Sequence, residues 1–415
     1  MKKLLIVVGA GASVEFGMPS VAAIDKLLEE WALGIMPIHD GVGSLYSWFK
    51  EKYGSYAKRN ERNEVWSLSN FENILFAIQS ISALLKDIEN GIFKSKIGGF
   101  VEVIDFPLVK RFGKIKKADG NDLSNLHSHL IDNLLEYFRE LCSKLEENKK
   151  EEINALRNFL QLLESEFEIG VINFNYDNVI LSAMPSLKTG FDKDSGEFER
   201  SIVYEKNWNF CYHLHGSVHF DMKGGKNQTQ MHKILWNDDL NSQFSQNSSG
   251  RNGNSTSEGL GHLNTNIIAG LDKVNQVLRE PFGTYFMQLD RLAYEADAIL
   301  FMGYGFNDLH LNKIMPFIRY DESKRRKVVV ISWASDDEDG LSFRHDEWSS
   351  NLFATIPVNA REMGNGKNSL PQPVSYFKSS KTLEKSLNPA YPLAIWYNGM
   401  LEACNNPTRI IQELI

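Results

Sequence analysis

The sequence predicts an α/β protein: a parallel sheet with helices on both faces, plus a mostly helical insertion. Three observations lead there. Residues 4–8 form an unbroken aliphatic run, the pattern of a parallel strand covered on both faces, and runs at 168–173, 209–214, 298–302 and 327–333 follow it as strand candidates. Val21, Ile24, Leu28 and Trp31 repeat at helical spacing directly after the first run, which gives a strand–helix unit. Several of the runs end on short turns rich in Gly, Asn and His, as expected where an open α/β sheet receives a ligand.

The elements follow in order. Residues 9–17 read as a loop between the first strand and its helix, and Pro19 suits that helix's opening turn. Residues 36–165 read as mostly helical. Ser69-Asn70-Phe71-Glu72 has the form of a capping box, and Phe71, Ile74, Leu75, Ile78 and Leu85 continue an apolar face behind it. Residues 123–145 and 153–167 are amphipathic; strand alternation is confined to about 100–109. Phe282, Phe286, Leu289, Leu292 and Ala293 mark a helix before the run at 298–302. Residues 241–265 are rich in Asn, Ser and Gly and are expected to form a mobile surface loop. Beyond Asp336-Asp337-Glu338-Asp339 the pattern is weaker, strand-like at 353–358 and helical at 393–404. The division expected is a Rossmann-like core over 1–35 and 166–335, a helical insertion over 36–165, and a C-terminal extension over 336–415 whose role the sequence does not give.

Composition narrows the function classes. The chain has 415 residues, 42% of them apolar, with a net charge of −8, so a large core is available and no basic footprint for nucleic acid is present. The short run Lys324-Arg325-Arg326-Lys327 reads as a solvated turn before a strand. Cys142, Cys211 and Cys404 are far apart, which excludes a disulfide framework and a paired-cysteine zinc site, and fits a reducing, cytoplasmic setting. Lys2-Lys3 and the apolar run behind them could pass for a signal peptide, but Gly9 and Gly11 interrupt the run, so a buried strand is expected. No run of membrane-spanning length is visible.

The turns carry the chemistry. Gly9-Ala10-Gly11-Ala12-Ser13 stands between a strand and a helix, where glycines let backbone N–H groups approach a diphosphate. The dehydrogenase fingerprint would need a third glycine where Val14 stands. His215, followed by Gly216-Ser217, ends a strand, and histidine suits general-base chemistry near neutrality. His213 and His219 could join it as metal ligands, but a carboxylate or thiolate partner at fitting spacing is absent. Asn175 and Asp177 end another strand, as helix caps or as site residues. Gly303-Tyr304-Gly305-Phe306-Asn307-Asp308 ends a fourth, with Asp308 either an N-cap or a ligand for a ribose hydroxyl.

As a set these motifs resemble the sirtuin superfamily, and more closely its bacterial sirtuin-like NAD hydrolases of anti-phage defence. The family's Gly-Ala-Gly-x-Ser falls on Gly9 to Ser13, its small-apolar-Pro segment on Gly17-Met18-Pro19, its Asn-x-Asp on Asn175-Tyr176-Asp177, and its His-Gly on His215-Gly216. The late glycine loop falls on Gly303 to Asp308. Two departures stand out: Pro19-Ser20-Val21-Ala22 replaces the deacylases' Pro-Asp-Phe-Arg, and the four zinc cysteines are missing.

The resemblance implies hydrolysis of the nicotinamide–ribose bond of NAD, with NAD as substrate and no zinc. It assigns catalytic roles to Asn175, Asp177 and His215. It assigns NAD binding to Gly9, Ala10, Gly11, Ser13, Pro19, Gly216, Ser217, Gly303, Gly305, Phe306 and Asp308. It further implies self-association or a defence partner, such as a HerA-type ATPase or an Argonaute-like protein, and neither a membrane nor direct nucleic-acid contact. The alternatives are an NAD-dependent protein deacylase, opposed by the missing cysteines, and a non-catalytic sensor of an NAD-derived nucleotide, opposed by the retained Asn175 and His215.

Overall fold

The computed structural model describes residues 1–39, 42–60, 70–89, 104–111, 113–205, 207–223, 233–249, 253–255, 261–263, 265–269, 279–319, 326–335, 347–356, 358, 362–363 and 372–415. Its centre is β1 (Lys2–Val8). The other strands are the hairpin β2 (Leu108–Arg111) and β3 (Lys114–Lys117), then β4 (Phe167–Asn173), β5 (Asn209–His213), β6 (Phe220–Lys223), β7 (Lys233–Trp236), β8 (Gly253–Ser255), β9 (Gly261–Leu263), β10 (Ala298–Met302), β11 (Lys327–Ile331), β12 (Glu384–Lys385) and β13 (Leu393–Trp396). Seven of them form one sheet in the order β12-β13-β11-β10-β1-β4-β5, parallel throughout except for the β12 edge. This is a Rossmann-like α/β fold.

The unbroken aliphatic pattern of β1 has a direct physical reading. Leu4, Ile6 and Val8 enter one core cluster and Leu5 and Val7 the other, each side chain at most 1% exposed. Burial of each is worth about 1.5–3 kcal/mol, so a strand with two covered faces carries no polar alternation. One face is covered by α1 (Val21–Ile35), α2 (Leu45–Asn60), α3 (Phe71–Glu89), α4 (Gly120–Ser143) and α5 (Lys150–Glu166). The other is covered by α6 (Phe282–Glu295), α7 (Leu309–Arg319), α8 (Glu347–Thr355) and α9 (Val374–Ser380).

Several expectations are corrected. Pro19 does not open α1: Ser20 is its N-cap, accepting from the Ala23 amide, so the proline lies before the cap. Ser69 of the expected capping box lies outside the described residues; Asn70 caps α3 by accepting from the Asn73 amide at 3.0 Å. The insertion holds a β2–β3 hairpin, where only Val109 of Leu108–Lys110 points inward, too short an alternation to stand out. In the Asn-rich stretch, Asn247 is buried and its amide and side chain both donate to Asp132 on α4, so this part is pinned rather than mobile. Arg326 is not solvated: it is 1% exposed and donates to the carbonyls of Ala296 and Tyr294.

The C-terminal stretch reverses the two expected patterns. Residues 353–358 begin inside helix α8, and 393–404 split into β13 and the helix Met400–Asn405. Leu393-Ala394-Ile395-Trp396 is buried on both sides beside β11, and that tertiary burial overrides the helical preference of Leu and Ala. A last helix, Pro407–Leu414, packs behind β11. The acidic run 336–339 lies outside the described residues. Among the described residues, no helix is long and apolar enough to cross a membrane.

The carboxyl ends of the strands are stitched to one another. The Gly9 amide donates to the Met302 carbonyl, the Gly11 amide to Gly303, the Gly303 amide to Ile331, and the Phe174 amide to Val8. Gly303 is the tightest point. It has φ +56°, and a Cβ there would stand 1.9 Å from the Ala12 nitrogen. Gly303→Ala is therefore expected to cost roughly 2–4 kcal/mol through strained backbone and displaced loop. Urea denaturation checks this, and an unchanged midpoint would contradict it.

Candidate active site

Four strand ends, those of β1, β4, β5 and β10, bring the sequence-predicted motifs to one edge of the sheet. Asn175 is the hub. Its side-chain amide donates to the Gly9 carbonyl and to Ser13 Oγ, both at 3.0 Å, and its own backbone amide donates to Asn173 Oδ1 at 2.9 Å. Asn173 is fully buried and was not singled out in the sequence, because an Asn inside an apolar strand looks like its last polar residue. Ser13 also hydrogen-bonds the Asp177 carboxylate, while Asp177 Oδ1 accepts from the Val179 amide at 3.1 Å. A chain of polar contacts thus runs from Gly9 through Asn175 and Ser13 to Asp177.

Beside this chain is a cavity of about 60 Å³. Ala10, Ser13, Pro19, Asn175 and Asp177 line it, as do Phe174 and Tyr176. Its far wall comes from the helical insertion: Phe71 and Glu72 open α3, and Phe138 comes from α4. Sequence reasoning assigned no site role to Glu72 or Phe138, since both read as ordinary helix positions dozens of residues along the chain from the motifs. Burial drives the Asp177 pKa up to about 6, against the hydrogen bonds from Ser13 and the Val179 amide that favour the carboxylate.

His215 stands outside the lining of that cavity but next to it, edge-on to Phe174 at 4.9 Å between ring centroids. Its Nε2 is 3.2 Å from Asp308 Oδ2. Asp308 Oδ1 meanwhile accepts from the His310 and Leu311 amides at the start of α7. The two sequence readings of Asp308 resolve into a third arrangement: it caps the helix with one oxygen and holds His215 with the other. With Nε2–H directed at that carboxylate, the lone pair of a neutral His215 ring resides on Nδ1.

The glycines serve loop packing as much as ligand approach. The amides of Gly9, Gly11, Ala12 and Ser13 are already bonded to the carbonyls of Met302, Gly303, Gly9 and Ala10. The predicted array of outward N–H groups is therefore not present in this loop: short 3₁₀ turns at Ala10–Ala12 and Val14–Phe16 turn these amides inward. Gly216, with φ +97°, lies against Asn266 and Ile267, and Ser217 Oγ accepts from the His219 amide. Phe306 is fully buried among Phe301, Tyr304 and Trp348, so its side chain belongs to the core. Gly305 is exposed, with open space at its Cβ apart from the Asn307 side chain.

The histidines do not converge. His213 is fully buried between Asn173 and Cys211, and burial pushes its pKa down to about 3. His219 stacks on Trp236 and faces the Asn237 carbonyl through Nδ1. Among the described residues no group of three His, Cys, Asp or Glu side chains is placed to hold a metal.

Fold and site together define an α/β protein with a polar cleft at the carboxyl edge of a parallel sheet. Residues 170–353, somewhat under half of the chain, match the family model of the SIR2-like domain, and this segment holds Asn173 to Asp177, His213 to Ser217 and Gly303 to Asp308. Among solved structures the chain is similar to a Sir2 homologue mutant in complex with ADP ribose, at 11% identity over 85% of this chain and 92% of that one, with a TM-score of 0.32. It is also similar to a Sir2 homologue triple mutant in complex with 2'-O-acetyl ADP ribose, at 10% identity over 84% and 83%, with a TM-score of 0.28. No curated protein matches the chain.

The raised Asp177 pKa gives a pH test. The unfolded side chain titrates at 3.8 and the folded one at about 6, so the folded state carries a growing penalty as pH rises between those values. Over about two pK units this amounts to at most ~3 kcal/mol. Asp177→Asn, which keeps an acceptor for the Val179 amide, is expected to gain stability relative to wild type by that order between pH 4 and pH 7. Denaturation at the two pH values checks it; a constant difference would contradict the burial argument.

Proposed function

We propose that this protein hydrolyses the nicotinamide–ribose bond of NAD, releasing nicotinamide and ADP-ribose, and that in a cell this activity serves anti-phage defence by depleting NAD. The observation that supports this most is the convergence of Asn175, Ser13 and Asp177 on one small cavity, with the His215–Asp308 pair directly behind Phe174. The SIR2-like segment supports the same reading by spanning three of the four motif loops.

Each residue then has a role its geometry suits. Cleavage develops positive charge on the ribose ring, which the nearby carboxyl groups of Asp177 and Glu72 favour electrostatically. The cavity receives the carboxamide end of nicotinamide, where the ionised Asp177 accepts from the carboxamide N–H and the protonated form, reached near pH 6, donates to its oxygen. Asn175 already uses both amide hydrogens on Gly9 and Ser13, so it directs its carbonyl oxygen at the ribose or the attacking water. His215 acts as general base through Nδ1, and Asp308 is the positioning residue that fixes the ring. The loop Gly9 to Ser13 and the backbone at Gly303 and Gly305 bound the diphosphate and adenosine half. Self-association or a defence partner through the helical insertion belongs to the same proposal.

His215→Ala is expected to lower nicotinamide release by ~10²–10⁴ while leaving the melting transition within a few degrees of wild type. Asp308→Asn, which preserves the helix cap, should lower kcat with little change in KM and should shift the pH profile, because the imidazole loses its charged partner. Near-normal turnover in His215→Ala would show that the histidine is structural and overturn the assignment.

A further inference from the structure

A second cavity, of about 480 Å³, lies between the end of α1, the β2–β3 hairpin and α4. It shares no lining residue with the cleft. α1 runs between the two, with Val21 and Ile24 at the cleft and Gly34 and Ile35 at this cavity, roughly 15–20 Å apart along the helix axis.

Its chemistry is one-sided. Lys110 and Arg111 come from β2, and Asn125 and His129, four residues apart and so on one face, come from α4. None of the described residues lining it is acidic, in a chain whose net charge is −8. A buried carboxylate works from behind: Asp122, fully buried one turn before Asn125, pairs with Arg111 Nη1 and with Lys116 Nζ at 2.9 Å each. That contact anchors Arg111 at the cavity wall. The carbonyls of Met36 and Pro37 are already taken, by the Leu45 and Lys110 amides. The α1 C-terminus brings only about −0.5 of a charge, which the formal charge of Lys110 outweighs even with Arg111 paired to Asp122. On β3, Lys114 lies across the hairpin from Arg111, while Lys117 pairs with Asp105 at 3.0 Å.

We propose that this cavity binds a phosphate-bearing ligand of nucleotide size, separate from the cleft. Four donor-bearing side chains, Lys110, Arg111, Asn125 and His129, with no carboxylate among the described lining residues, suit a phosphate. The volume exceeds what inorganic phosphate fills and lies within the ~300–1,000 Å³ range of small-molecule sites. Recognition rests on the diphosphate charge, with the remaining space taken by whatever that group carries.

Calorimetric titration of the full-length protein at 150 mM salt tests this, with ADP, inorganic pyrophosphate and adenosine as probes. ADP should bind with one component that weakens about tenfold or more in Lys110→Glu and in His129→Glu, the loss of one charged contact. Both positions are exposed, and circular dichroism melts verify that the variants fold. The same component should persist in His215→Ala. Pyrophosphate matching ADP would define the diphosphate as the whole determinant; weaker pyrophosphate binding would show that the nucleoside contributes. Either supports the site. The proposal is overturned if ADP binding is unaffected by Lys110→Glu and His129→Glu, if it is lost only in His215→Ala, if adenosine binds as tightly as ADP, or if no probe binds saturably.

Discussion

The side-chain amide of Asn175 is the interaction on which the cleft depends. It reaches from the end of β4 to the loop after β1 and bonds both the Gly9 carbonyl and Ser13 Oγ. Those contacts fix the loop that shapes the small cavity, and Ser13 passes the constraint on to Asp177. Each bond contributes only about 0.5–1.5 kcal/mol net, but the groups are buried, and losing the amide leaves the Gly9 carbonyl with the Ala12 amide as its remaining donor and removes the tie between β4 and the loop. Asn173 supports the hub from beneath by accepting the Asn175 amide. The position of Asn175 is thus set by backbone geometry at the sheet edge before any ligand arrives.

A second constraint, from β10, meets the first at His215. Asp308 is held by the opening turn of α7 and in turn holds the imidazole. Phe174, in the residue between Asn173 and Asn175, packs against both His215 and Tyr304. The two parts of the cleft, one at the ends of β1 and β4 and the other at the ends of β5 and β10, are joined by Phe174 and by the Gly9 and Gly11 amides that bond the Met302 and Gly303 carbonyls. The helical insertion closes the cavity with Phe71, Glu72 and Phe138, which makes it part of the site rather than an appendage.

Much of this was legible in the sequence because the relevant signals are local. A strand buried on both faces must be continuously apolar, so β1, β4, β10 and β11 stand out, and turns rich in Gly, Asn and His mark their ends. What was not legible depends on tertiary context. The β13 segment Leu393–Trp396 looks helical until β11 is placed beside it, and Phe306 looks like a ligand contact until its ring is found in the core. Glycine spacing suggested outward amides, whereas the close approach of Gly9 and Gly11 to Gly303 turns those amides onto neighbouring carbonyls. Asp308 offered a cap or a ligand in sequence, and only three dimensions show that its two oxygens divide between α7 and His215.

The central claim is that this cleft breaks NAD rather than merely holding it. Proton NMR of NAD incubated with the purified protein, with no acetylated peptide present, tests it most directly. The account predicts that the resonances of free nicotinamide grow as those of the intact dinucleotide decline, in equal amounts. Saturable NAD binding with the dinucleotide left intact, or nicotinamide release that begins only when an acetylated peptide is added, would contradict it.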